Sequence, residues 1–164
     1  MVKRISHETA DCPIARSLDA IGDWWSLLIV RDAFAGKRRF GEFQKNLGVA
    51  KNILSARLRN LVALGILDLV PAEDGSAYQD YVLTAKGRGL FPVIAAIGQW
   101  GREHFFKAGE ACSVLAERDN GRVLPRFEIY AQDGRVLGPE DVVLKQTQAK
   151  GARKAVPPKK RKAS

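Results

Sequence analysis

The stretch at residues 49–67, VAKNILSARLRNLVALGIL, decides how the rest of the chain is read. Set on a helix at 100° per residue, Leu54, Leu58 and Leu61 fall within about 60° of one another, with Ile53 and Val62 at the flanks. Asn52, Ala56, Arg59 and Ala63 lie opposite, Lys51 and Ser55 on one shoulder, Arg57 and Asn60 on the other. The outward surface is therefore small, polar or cationic. A solvated helix face usually mixes signs and pairs them four residues apart. Here no acid occurs between Glu42 and Asp68, so the cations of this segment are expected to remain uncompensated within the chain.

The neighbouring segments have the punctuation of short helices. CPIARSLDAIG opens with Pro13, whose missing N–H costs nothing in a first turn, and stops at Gly22. DWWSLLIVRDAFAG begins at the cap Asp23 and offers Trp25, Leu28, Ile29 and Ala33 to a core before Gly36. RRFGEFQKNLG places Phe40, Phe43 and Leu47 on one side and ends at Gly48, three residues before the opening helix. A short helix, a glycine turn and a longer helix form a helix-turn-helix pattern.

Two runs follow, ILDLVP and AYQDYVLT, separated by AEDGS with its Asp74-Gly75 turn pair. They predict a β-hairpin, and a hairpin directly after a helix-turn-helix is a winged helix. Thr84 is then expected to cap a helix reaching about Phe106, bent by Pro92. Residues 111–144 carry the turn pairs Asn120-Gly121 and Asp133-Gly134 and predict a small β-hairpin or meander extension. From Lys145 the sequence has one Val and no larger aliphatic or aromatic residue, so residues 145–164 are expected to be a disordered basic tail. The predicted class is mostly α with a small β component: a polar arm at 1–11, a winged domain at 12–110, the extension at 111–144 and the tail.

Charge is concentrated rather than spread. The chain has 164 residues and a formal net charge of +9, to which residues 145–164 contribute eight basic side chains and no acid. Residues 37–59 hold seven basic side chains against Glu42 alone, a local +6. A helix entering a major groove needs small residues for close approach, amides or guanidiniums for base edges and cations for phosphates. Asn52, Ser55 and Arg59 are the candidates for base reading; Lys37, Arg38, Arg39, Lys45 and Lys51 are candidates for phosphate contacts, which position rather than specify. Arg57 stands between a phosphate contact and a side chain lying along its own helix.

The segments CPIARSLDAIGDWWSLLIVRDAFAGKRRFGEFQ, LSARLRNLVALGIL and YVLTAKGRGLFPVIAAIGQWG, taken in order, closely resemble the HxlR-type family of bacterial winged helix-turn-helix transcriptional regulators. The resemblance runs from about Cys12 to Phe106. It implies a homodimeric cytoplasmic regulator on a roughly palindromic double-stranded DNA operator. It also implies pairing through the helix near Pro13, with Ile14 and Leu18, and the helix containing Leu90, Ile94, Ile97 and Trp100. Residues 90–106 are apolar on more than one face, which a monomer would leave wet. Several such regulators sense oxidants or electrophiles through a cysteine in the place of Cys12. That residue precedes Pro13, where a helix dipole favours a thiolate, with Asp11 opposing the effect; packing at the dimer contact is the other reading.

Two departures from the family pattern stand out. Its members often carry basic residues in the wing, whereas PAEDGSAYQDY holds Glu73, Asp74 and Asp80 and no cation, which argues against a wing-tip contact with the minor groove. Ala50 stands where a serine cap often begins the recognition helix.

Other classes find little support. No apolar run approaches the roughly 20 residues of a membrane span, and no leader-like segment opens the chain. His7, Cys12, His104 and Cys112 lack the close pairs of a zinc site, and GxSxG, phosphate-loop and HExxH patterns are missing, so neither cofactor, metal nor enzymatic activity is expected. The alternative within nucleic-acid binding is an architectural protein working mainly through the basic tail.

Overall fold

The computed structural model describes residues 6–147, which form six α-helices, a two-stranded antiparallel sheet and one 3-10 turn. The first residues of the expected polar arm and all but the start of the expected basic tail lie outside the described residues. The chain divides into two compact units with the boundary after Phe127.

In the first unit, α1 is Pro13–Ile21, α2 Trp24–Phe34, α3 Phe40–Leu47 and α4 Lys51–Ala63. These bounds follow the expected punctuation: Pro13 occupies the first turn of α1, and Asp23 caps α2 by accepting from the Ser26 N–H at 3.0 Å. Gly48 ends α3 in the left-handed region at φ 62°, which a side chain would strain. Leu54, Leu58 and Leu61 are fully buried beside Ile29, Val30 and Phe43, so the leucine stripe of α4 is the floor of the core. Burying each such side chain contributes roughly 1.5–3 kcal/mol. The buried stripe of α2 differs from expectation. Ile29 is buried, but with Ser26, Val30 and Asp32, while Trp25, Leu28 and Ala33 are half-buried. Two polar side chains thus turn inward, where hydrogen bonds satisfy them.

The wing consists of β1, Leu67–Pro71, and β2, Gln79–Leu83, in the register Leu67↔Leu83 to Pro71↔Gln79. The outer edge of β2 is tied back to the helix-turn-helix, since the Tyr81 N–H donates to the Arg38 carbonyl at 2.8 Å. Tyr81 also meets Phe43 edge to face, with centroids 6.3 Å apart.

Thr84 caps α5, Ala85–Arg88, by accepting from the Gly87 N–H at 3.0 Å. The continuous helix expected to reach Phe106 is instead interrupted at Gly89 and Leu90. Pro92 lies in the first turn of a new helix, α6, Phe91–Phe105. The reason is local: a proline within an uninterrupted helix would lose a hydrogen bond, whereas in a first turn its missing N–H has no partner to lose. Phe91 anchors α6 to α2 by an edge contact with Phe34 at 5.5 Å.

The extension has turns where the sequence predicts them but little ladder. A single bridge, Ala116↔Val123, closes the turn at Asn120-Gly121, and another, Tyr130↔Val136, closes that at Asp133-Gly134 in the second unit. Within that second unit Pro139–Asp141 is a 3-10 turn, and Arg135 pairs with Asp141 at 2.9 Å.

Candidate nucleic-acid interface

Because its leucines face the core, α4 must present its other side outward. Lys51, Asn52, Arg59 and Asn60 are exposed, and Ser55 is half-buried. Among the described residues neither Lys51 nor Arg59 has a carboxylate within ion-pair distance. The helix begins at Ala50 with no side-chain cap, as the missing serine predicts, which leaves the N–H groups of the first turn facing outward from α4 without a side-chain acceptor.

Arg57 departs from the expectation of an uncompensated helix. Its Nε lies 3.2 Å from the Asp23 carboxylate, an ion pair whose direction is off the hydrogen-bond line, and the guanidinium is only partly exposed. The acid is remote in sequence and comes from the start of α2. Arg57 therefore fixes α4 against α2 instead of facing outward as a free cation.

The approach to α3 shows a larger departure. Arg38 pairs with Glu73, and Arg39 pairs with Asp74 at 2.9 Å and with Asp80. Both guanidiniums, expected to be uncompensated phosphate ligands, are held by acids of the wing. Tyr78 completes the setting of Arg39, whose guanidinium carbon lies 5.6 Å from the ring centroid. Hydrogen bonds from Ser76 hold the Asp74 carboxyl down at about 2, and the Arg39 guanidinium adds to that effect. Glu42 accepts the backbone N–H groups of Arg38 and Arg39 at 2.8 and 2.9 Å, bonds that lower its pKa and start α3. Lys37 and Lys45 form no ion pair among the described residues; Lys37 is half-buried and Lys45 exposed.

A buried polar node, which spacing alone did not reveal, sets the angle between α2 and α3. Asp32, 2% exposed, accepts from Asn46 Nδ2 at 2.7 Å and from Arg31 at 2.8 and 3.0 Å. Asp23, which also accepts from the Ser26 hydroxyl at 2.5 Å, makes the corresponding link from the start of α2 to α4 through Arg57.

The expected pairing residues divide into two groups. Ile14, Leu18, Ile97 and Trp100 are 65%, 55%, 49% and 55% exposed, and α6 has no fully buried residue. Leu90 and Ile94 instead pack against the core of their own chain, which removes part of their surface from any partner. Cys12 is exposed and Cys112 half-buried, both as free thiols. Among the described residues no group of His, Cys, Asp and Glu could hold a metal ion, and no helix is long and apolar enough to cross a membrane.

A helix-turn-helix closed by a two-stranded wing, with a cationic and amide-bearing second helix turned outward, defines a winged helix-turn-helix protein. The HxlR-like helix-turn-helix family model matches residues 20–108, more than half of the chain, and the chain belongs to that family. An HTH-type transcriptional regulator of Mycobacterium tuberculosis, MT3179, itself uncharacterized, is 44% identical over 103 residues; the match covers 63% of this chain and 65% of that relative. The chain thus spans just under two-thirds of the length of the mycobacterial relatives it matches. The crystal structure of PA1607, described as a candidate transcription factor, is 57% identical with a TM-score of 0.82, covering 87% of this chain and 100% of that one. The redox regulator HypR in its oxidized form is 30% identical with a TM-score of 0.53, covering 58% of this chain and 100% of that one.

Proposed function

We propose that the chain is a homodimeric, sequence-specific DNA-binding transcriptional regulator that seats α4 in the major groove of a palindromic operator. The observation that carries this reading is the outward face of α4. Lys51, Asn52 and Arg59 are exposed, and neither cation has an ion-pair partner among the described residues, while the opposite face is locked into the core. Arg59 and Asn52 have the donor geometry for guanine and adenine edges, with Ser55 beside them. Lys37, Lys45 and Lys51 supply phosphate contacts. Arg57, bound to Asp23, acts as a positioning residue for α4.

The exposed apolar side chains Ile14, Leu18, Ile97 and Trp100 support pairing of two copies through α1 and α6. Two α4 helices so joined would enter successive major grooves about 34–36 Å apart. The exposed thiol of Cys12 at the start of α1, together with the likeness to the redox regulator HypR, supports an oxidant as effector.

Selection of bound fragments from random duplex DNA, repeated with Asn52→Ala and Arg59→Ala, tests the reading. A palindromic consensus in the wild type that each variant relaxes at one base pair supports it. A chain that selects no consensus, or loses all affinity when residues 145–164 are deleted, would instead be a tail-driven architectural binder. Repeating the selection with peroxide and with Cys12→Ser tests the effector; occupancy that peroxide leaves unchanged removes it.

A further inference from the structure

We propose that Glu73 and Asp74, at the tip of the wing, are specificity-determining residues whose carboxylates occupy Arg38 and Arg39 in place of duplex phosphates and so suppress binding to DNA of arbitrary sequence. The inference rests on the DNA-binding reading above.

The geometry is that of a phosphate site already filled from within the chain. Arg38 Nη1 contacts Glu73, and Arg39 Nη2 lies 2.9 Å from Asp74. A guanidinium presents the same planar fork to a carboxylate as to a phosphate. Both acids are open to water: the Glu73 and Asp74 side chains are 78% and 61% exposed. Exposed pairs of this kind contribute little to folding. The anchoring role falls to Asp80, whose side chain is 6% exposed and meets Arg39 from the body of the sheet. Glu73 and Asp74 can thus be exchanged for another anion without dismantling the wing.

The charge balance points the same way. Residues 37–59 carry a local +6, and the wing, residues 71–80, places three acids and no base against it. Sequence-independent affinity grows with each phosphate neutralised. Arg38 and Arg39 are withheld from that count, and the same carboxylates repel the approaching backbone. On the operator, base contacts from α4 fix the register of the protein, so withheld guanidiniums matter less. On arbitrary DNA the protein is free to shift until every available cation finds a phosphate. Neutralising the wing acids therefore strengthens arbitrary binding more than operator binding.

The test uses the full chain carrying Glu73→Gln and Asp74→Asn, titrated with a random-sequence duplex and with the selected operator across a salt series. Random-duplex affinity is expected to rise roughly two- to five-fold through Arg38, which loses its carboxylate, and by less through Arg39, which Asp80 still holds. The slope of log K against log salt should steepen by about 0.9 per recruited phosphate. The ratio of operator to random affinity falls. Glu73→Gln should lose its effect in an Arg38→Ala background. Asp119→Asn, which removes one negative charge from an exposed site elsewhere as Glu73→Gln does from the wing, should leave the slope unchanged. An unchanged slope in the wing variants, an equal effect from Asp119→Asn, or an effect that persists without Arg38 overturns the proposal. If the double variant melts early, Glu73→Gln alone supplies the measurement. A wild-type chain that binds no duplex at all overturns the DNA-binding reading itself, a different outcome from wild-type binding with unresponsive wing variants.

Discussion

The Asp23 carboxylate does two jobs at once: it accepts the Ser26 N–H at 3.0 Å to cap α2, and it lies 3.2 Å from Arg57 Nε on α4. The cap of one helix thereby fixes the rotation of the helix read as the DNA-contacting element. Asp23→Ala should lower the unfolding free energy by about 1–2 kcal/mol, the usual cost of losing a cap. Asp23→Asn keeps an acceptor for the Ser26 N–H and should recover most of that loss. Urea denaturation of the two variants measures the difference; equal losses would mean that the charge on Arg57 outweighs the cap.

Close approach of backbone makes Gly87 irreplaceable, because a Cβ there would stand 2.2 Å from the Ile66 carbonyl oxygen and 2.9 Å from Leu83 Cδ2. Gly41, within α3, would carry a Cβ with nothing inside 4 Å. Gly87→Ala is expected to destabilise the wing and lower the melting temperature. Gly41→Ala should stabilise by about 0.5–1 kcal/mol through the entropy glycine otherwise loses in a helix. Melts of both variants check the pair of opposite signs.

Much of this fold is legible in the sequence because it depends on local order. The 54, 58, 61 spacing of leucines, the cap at Asp23, the glycine at 48 and the Asp74-Gly75 turn each act within a few residues, and each appears where the spacing predicts it. Ion pairing is different, since it depends on which surfaces folding brings together. The absence of an acid near Arg57 in the sequence carries no information about Asp23, nor does the distance from Arg38 to Glu73 along the chain. The inward turn of Asp32 was hidden for the same reason: only with α3 in place does Asn46 supply its donor. Pro92 was ambiguous locally, because a proline either bends a helix or begins one, and packing of Phe91 on Phe34 accompanies the second outcome.

Asp74, held first by hydrogen bonds from Ser76 and then by the Arg39 guanidinium, acts over a defined pH range. The folded-state pKa of Asp74 is depressed from an ordinary 3.8 to about 2, so its contribution is fully present above about pH 4 and is lost as pH falls through about 2. Because Asp74 is open to water, the melting-temperature difference between wild type and Asp74→Asn should be small, constant from neutral pH down to about 4, and smaller still below it. A difference that varies between pH 6 and 8 would show that another group controls the turn at Asp74.

Surface apolarity on α6 gives a prediction about assembly. Ile97→Asp, at a position 49% exposed, should cost the isolated protomer little and shift sedimentation from a dimer to a monomer at the same concentration. Sedimentation unchanged by this variant would move the pairing surface elsewhere.

In the proposed function the outward face of α4 reads base edges while the flanking lysines only hold the backbone. The most direct measurement compares Arg59→Ala with Lys37→Ala on the selected operator, on single-base variants of it and on random duplex across a salt series. Arg59→Ala should lose about 1–3 kcal/mol of discrimination at one base pair. Lys37→Ala should weaken all duplexes alike and lower the salt slope by about 0.9. If the two variants behave identically on operator and random DNA, α4 does not read sequence and the assignment of this face is wrong.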